Sequence, residues 1–393
     1  MNNTTTPSCS LDDIDELSGV AGDFLAHIRQ RLFAPDAQKR GPKYTLGQLS
    51  QFIDKDKALV SKRAAMVGSD LPAGEQAGNQ RLFTVEDVRT WSRHYKRCHV
   101  RSPQERGAVI AVANFKGGVS KTTTTAHLAQ GLSLKGYRVL LIDLDAQGSL
   151  TNLMGISPEF EVNLEDTIVP LTSGERDSLL PSIRTTYWSG VDIVPGSVVL
   201  NNADFYLPAR QARDPGFAFW DVLRRALHSD GILEQYDYVI IDTPPAISYT
   251  TINAFLAADC LLVPMPPEGQ DFASAVQFWT LFSQLARGID QHLKTEDRKT
   301  YAWVRVVPTK VDRTRAHSAI VLDWMKSVYR HYLSSTEIPV TSAVSVSGIQ
   351  LGTIYDIARY TGSSRTYLRA RQAYDRLVDE VDQLTRLHFW SKN

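Results

Sequence analysis

The stretch that most restricts this chain is a short apolar run that turns straight into glycines and lysines. Ala108-Val109-Ile110-Ala111-Val112-Ala113 is apolar on both faces of any strand it forms. Lys116-Gly117-Gly118-Val119-Ser120-Lys121-Thr122-Thr123 follows, and then a helix rich in Ala and Leu. A strand buried on both faces belongs in a sheet covered by helices on either side. The two glycines let the backbone curl so that its N–H groups face an anion at the positive end of the next helix. Lys121 is suited to the β and γ phosphates of a nucleotide, and the Thr122 hydroxyl to Mg²⁺. Asn114 stands where the usual phosphate-loop pattern has its first glycine. An ordinary Gly-rich turn is the plain alternative. Two glycines, two lysines and a hydroxyl in this context count against it.

The same alternation continues. Residues 138–143, 191–194, 238–241, 260–263 and 304–307 are short, apolar on both faces and separated by helical segments. They predict an α/β, mainly parallel sheet with helices on both faces, the P-loop NTPase architecture. At 393 residues the chain should hold more than this one domain. A helix with Phe24, Ile28 and Leu32 on one face is predicted over 23–33, and Pro35 and Gly41-Pro42 break the chain after it. We therefore divide it into an N-terminal helical segment (1–40), a helical module (41–106) and the nucleotide domain (107–393). A polar connector around Arg101-Ser102-Pro103 joins the last two.

Two acidic motifs follow strands. Asp143-Leu144-Asp145-Ala146-Gln147-Gly148-Ser149 comes after the second, and Tyr238-Val239-Ile240-Ile241-Asp242-Thr243-Pro244-Pro245 ends a later one. With Lys116 preceding Gly-Gly-x-x-Lys-Thr, the set resembles the deviant Walker A ATPases of the ParA/MinD family. That resemblance implies an ATP-sandwich homodimer in which Lys116 reaches the partner's nucleotide. It makes Lys116, Lys121 and Asp145 catalytic, with Asp145 orienting the attacking water. Residues 116–123 would hold ATP, and Thr122, Asp143 and Asp242 would serve Mg²⁺, Asp143 in support. Pro308-Thr309-Lys310 resembles the loop beside adenine, which makes Thr309 and Lys310 candidate nucleotide contacts; a surface turn is the equal alternative. Pro195-Gly196-Ser197, Asn202 to Phe205, and Pro264 to Pro267 with Asp271-Phe272 resemble the larger ParA proteins.

Residues 45–66 read as helix, tight turn, helix. Leu49, Ile53 and Val60 face inward, Ser50 allows a close crossing, and Lys57, Ser61, Lys62 and Arg63 face outward. Lys55 and Arg63 occupy positions that are usually apolar in this motif. Thr84 caps a helix over 85–95 behind a wing at 81–83. The arrangement resembles the winged helix-turn-helix of larger ParA proteins, which binds operator DNA, and the helix at 23–33 resembles their dimerising helix. Charge agrees, because Arg29 to Arg106 holds 16 Lys/Arg against 8 Asp/Glu in a chain of net charge zero. A solvated helical surface is the other reading of the same charges. Arg359, Arg365, Arg369, Arg371 and Arg376 form a second basic group, and a helix expected over 366–383 places Arg369 and Arg376 on one face. In relatives this region binds DNA of any sequence, whereas pairing with Asp375 and Asp379 is the alternative.

The expected function is an ATP-dependent DNA-segregation ATPase for a plasmid or chromosome. It would be stimulated by a ParB-like adaptor, repress its own operator, and be cytoplasmic and nucleoid-associated. A MinD-like membrane-associated ATPase would use Leu384, Leu387, Phe389 and Trp390 as an amphipathic end; packing of these residues on the body is preferred, and no membrane partner is expected. A repressor with secondary ATPase activity is compatible with the first reading. An iron–sulfur reductase is excluded, since Cys9, Cys98 and Cys260 are widely spaced.

Overall fold

The computed structural model describes residues 10–32, 39–66, 68–291, 298–340, 352–357 and 364–392. Two compact units meet at Arg40/Gly41. In the first, α1 runs from Leu11 to Leu32. It therefore begins a dozen residues before the segment that periodicity marked. Ser10 and Asp13 cap its start, with the Ser10 N–H donating to the Asp13 carboxylate at 2.6 Å. Leu11, Ile14, Leu17, Val20, Phe24 and Ile28 are all exposed, and the side chain of Leu32 lies outside the described residues.

The second unit opens with a helical module. Its first elements are β1 (Tyr44–Thr45), α2 (Leu46–Ile53) and α3 (Lys57–Ala64). The hairpin β2 (Glu75–Ala77) and β3 (Gln80–Phe83) and the helix α4 (Val85–His94) complete it. Thr45 and Thr84 both close capping boxes, which satisfy the orphan N–H groups at a helix start. Leu49, Ile53 and Val60 are fully buried, as the apolar pattern required. The two irregular positions have separate explanations. Lys55 lies over the Tyr95 ring at 5.6 Å, and Arg63 is exposed while Ala64 takes the core position. Asp54 adopts the left-handed conformation at the turn.

The remainder is the predicted α/β layer structure. Its strands are β4 (Ala108–Val112), β5 (Val139–Asp143), β6 (Arg184–Thr185), β7 (Val191–Val194), β8 (Tyr238–Asp242), β9 (Cys260–Met265) and β10 (Trp303–Pro308). The larger helices are α5 (Lys121–Leu134), α6 (Ser149–Leu153), α7 (Val169–Ser173), α8 (Ala203–Arg213), α9 (Val222–Ser229) and α10 (Ile232–Gln235). They continue with α11 (Tyr249–Ala257), α12 (Gly269–Asp290), α13 (Ala316–Tyr329) and α14 (Ser364–His388). The sheet order is β10-β9-β4-β8-β5-β7-β6, and only the short edge strand β6 runs antiparallel. Alternate residues of β4 enter different cores: Ala108, Ile110 and Val112 on one face, Val109 and Ala111 on the other.

The first of these cores also contains Leu49, Phe83 and Trp91 of the helical module. The segment expected as a polar connector is pinned down. Arg101 bonds Asp237 at 2.9 Å and the Leu233 carbonyl at 2.8 Å, and Arg106 grips both oxygens of Asp259. Ser92 of α4 donates to the Leu134 carbonyl at the end of α5. The boundary near residue 106 is thus a change of architecture across which the core is shared.

Candidate functional site

The site lies at the carboxyl ends of β4, β5 and β8, where α/β sheets place ligands. Asn114, in the place of a loop glycine, ties the turn down. Its Nδ2 donates to the Pro264 carbonyl and its Oδ1 accepts the Lys116 N–H. Gly118 and Ser120 both take the left-handed conformation, at φ 74° and 76°. In Ser120 that conformation carries a side-chain penalty, a strain that concentrates at binding sites. The loop closes over Lys121, whose Nζ donates to the Lys116 carbonyl at 3.0 Å. Burial lowers the Lys121 pKa, and Asp242 and Asp145 oppose that shift. Gly117, Gly118, Lys121, Thr122 and Thr123 form one wall of a cavity of about 520 Å³, well within the size of nucleotide and other small-ligand sites.

Asp143 and Asp242 are register partners on β5 and β8. Asp242 accepts the Thr122 hydroxyl at 2.6 Å and the Thr125 hydroxyl at 3.2 Å. Burial, then the Asp143 charge, pushes its pKa well above the ordinary carboxylate range. A buried carboxylate of this kind, bonded to a hydroxyl that faces a phosphate site, fits Mg²⁺. The cation takes oxygen donors and completes its shell with phosphate and water. Asp143 is different. Its oxygens accept the Thr151 N–H and hydroxyl and the Asp145 N–H. These bonds also shape the loop that carries Asp145. Gly196 completes this corner, because a Cβ there would stand 2.8 Å from the Asp143 carboxyl carbon. Asp145, partly exposed, faces the cavity.

Lys116 points elsewhere. It pairs with Asp271 of α12 and lines a second, neighbouring cavity with Glu268, Asp312 and Arg315. Lys310 lines both cavities and donates to the Gly118 carbonyl at 2.6 Å. Thr309, expected beside adenine, is fully buried, and its hydroxyl donates to the Val119 carbonyl at 3.0 Å. It braces the phosphate loop from behind and has no surface to offer a base. The cavity wall that the sequence reading missed is His127, Asn152, Gly352 and Thr353. No local motif marks these residues; tertiary folding brings them together.

The DNA candidates divide. Lys57, Ser61, Lys62 and Arg63 are all exposed on α3. Arg365, Arg369 and Arg376 are exposed on α14, and Arg359 lies outside the described residues. Arg371, counted with that basic group, is buried and paired with Asp375 at 3.1 Å, so it belongs to the interior. The apolar C-terminal end packs on the body. Trp390 is buried, stacks on His99 at 4.9 Å between centroids and donates to the Arg106 carbonyl; Leu387 alone of the four stays exposed. Among the described residues, no helix is long and apolar enough to cross a membrane.

Residues 107–295 match a family model described as an AAA domain. The chain is 30% identical over 233 residues to the sporulation initiation inhibitor protein Soj of Bacillus subtilis (strain 168), covering 59% of this chain and 84% of Soj. It is 28% identical over 367 residues to protein SopA of Escherichia coli (strain K12), covering 88% and 91%. A solved structure described as a partition protein superimposes with a TM-score of 0.64 at 19% identity, over 95% of this chain and 98% of that one. It shares the fold.

Proposed function

This chain belongs to the ParA family of partition ATPases, and from that premise we propose that it segregates a plasmid or chromosome by an ATP-switched, DNA-bound dimer. The observation that carries the reading is the split between the two loop lysines. Lys121 lines the nucleotide cavity, while Lys116 stands outside it against Asp271. A loop cation that stands outside its own cavity is placed to serve a partner's nucleotide.

In this mechanism the loop N–H groups and Lys121 bind the β and γ phosphates of ATP. Thr122 and Asp242 would hold Mg²⁺, which would neutralise charge on those phosphates. Two subunits close face to face, and Lys116 leaves Asp271 for the neighbouring γ-phosphate, as an arginine finger does. Asp145 orients the water for in-line attack. The closed dimer then holds bulk DNA through Arg365, Arg369 and Arg376, and a ParB-like adaptor stimulates hydrolysis. The exposed row Lys57, Ser61, Lys62 and Arg63 on α3 supports operator binding and autorepression by the same chain. Burial of Trp390 speaks against a membrane-binding C-terminal end.

The test uses purified wild type, Lys121→Ala and Asp145→Ala with Mg-ATP and duplex DNA of random sequence. Wild type should bind and hydrolyse ATP and hold DNA only with ATP. Lys121→Ala should lose all three activities, and Asp145→Ala should hold both ligands without turnover. Rapid hydrolysis by Asp145→Ala, or ATP binding by Lys121→Ala equal to wild type, would refute the assignments.

A further inference from the structure

Between the nucleotide cavity and the helix-turn-helix lies a buried polar assembly that neither phosphate chemistry nor DNA contact requires. Residues 352–357 run from one to the other. At the near end, Gly352 and Thr353 line the cavity. The Thr353 hydroxyl donates to Gln130 of α5 at 2.5 Å. The Ile354 N–H donates to Nε2 of His127 at 3.0 Å, so the imidazole carries its proton on Nδ1, 2.6 Å from the Thr123 carbonyl of the phosphate loop. Asp356 accepts both the Thr353 N–H and the Tyr187 hydroxyl.

At the far end stands Tyr355, fully buried. Its carbonyl accepts the hydroxyl of Tyr44, in the first strand of the helix-turn-helix module, at 3.2 Å. The Arg371 guanidinium lies 4.1 Å from the centre of the Tyr355 ring and 5.0 Å from that of Phe52 in α2. Asp375 pairs with Arg371 and accepts the Tyr355 hydroxyl at 2.9 Å. One buried cation thus clamps an aromatic ring from each side of the boundary. Gly131 keeps the assembly close, since a Cβ there would stand 2.4 Å from Val378 and 3.0 Å from the Tyr355 hydroxyl.

We propose that residues 352–357 are a strap that couples occupancy of the nucleotide cavity to the seating of the helix-turn-helix module, with Arg371 as a positioning residue at its far end. The inference rests on the nucleotide reading of the cavity. A ligand shifts an equilibrium only through groups that it contacts differently in the two states, and here those groups are Gly352 and Thr353. The strap is tied by hydrogen bonds at both ends and closely packed, so displacement or ordering at Thr353 is carried to Tyr355 instead of being absorbed. By linkage, DNA held by the module acts back on nucleotide affinity by the same factor.

Hydrogen exchange on the full chain, with and without a non-hydrolysable ATP analogue and Mg²⁺, tests this. In wild type the analogue should slow exchange in the phosphate loop (residues 114–126) and also in residues 44–53, the latter by about fivefold or more, the lower end of ordinary coupling. Tyr44→Phe removes only the hydroxyl bond to the strap, and Arg371→Met removes the cation while keeping bulk. Both should keep protection of the phosphate loop and lose the nucleotide-dependent ratio at 44–53. A variant whose exchange at 44–53 rises equally with and without nucleotide, leaving the ratio intact, shows a merely structural role and overturns the strap. Wild type protected at the phosphate loop and unchanged at 44–53 also overturns it. No protection at the phosphate loop overturns the nucleotide reading, and the strap with it.

Discussion

Mixing two inactive variants tests whether Lys116 acts across a dimer. Lys116→Ala keeps Lys121, Thr122 and Asp242, so its own cavity still binds Mg-ATP. Lost with it is the cation owed to the partner. Removing a charge that acts in trans on a transferring phosphoryl group costs about 10³–10⁵ in rate, which is roughly 4–7 kcal/mol of barrier. Against this, freeing Lys116 leaves the buried Asp271 carboxylate without its cation, at a cost of about 3–5 kcal/mol that the contact of Lys116 with the partner's γ-phosphate has to offset. Asp145→Ala keeps Lys116 and loses the group that orients water. In a heterodimer of the two, the Lys116→Ala subunit retains Asp145 and receives Lys116 from its partner, so one of the two sites is complete. In a two-fold dimer assembled at random from equal amounts, half the dimers are mixed and half their sites work, so about one quarter of wild-type turnover returns. Steady-state phosphate release, with subunits exchanged before ATP and DNA are added, measures it. Turnover no greater than the mean of the two parents would show that Lys116 acts within its own chain, and the sandwich would fall.

Three further outcomes follow from buried or charged groups. Trp390→Ala removes a buried ring and the partner of the Arg106 carbonyl, and should lower unfolding stability by about 3–5 kcal/mol in urea while leaving liposome co-sedimentation at background; unchanged stability would mean that the C-terminal end is not docked. Replacing Arg365, Arg369 and Arg376 together by Ala should flatten the salt dependence of ATP-dependent binding to random duplex, removing a slope of about 5 for six phosphate contacts per dimer, and an unaltered slope would assign those contacts elsewhere. Asp382→Asn should cost about 3 kcal/mol at pH 7, because the buried carboxylate answers Lys135 and Arg386. Burial opposes, but those cations and the bonds from Lys135 and Tyr137 outweigh it and hold the Asp382 pKa below 3.8. Its stabilisation is therefore present above pH 3.8 and lost as pH falls through the depressed folded value. The gap between wild type and variant in urea midpoints should close over that acid range and stay constant above it.

What the sequence determined by itself is what depends on neighbours along the chain. Strand β4, the phosphate loop and α5 are a continuous run whose apolar pattern, glycines and lysines dictate strand, turn and helix locally. The same holds for the ends of β5 and β8, for the Thr45 and Thr84 caps, and for the inward face of Leu49, Ile53 and Val60. Tertiary structure decided the rest. Only packing shows that Thr309 is a buried brace, that Asp143 accepts bonds from Thr151 and Asp145, and that Arg371 is an interior clamp while Arg369, two residues before it, is exposed. The wall formed by His127, Asn152, Gly352 and Thr353 draws on three distant segments, so no spacing announces it. The physical reason is that burial and hydrogen-bond saturation depend on which distant groups arrive, whereas capping, turn formation and amphipathic pattern depend only on residues a few positions away.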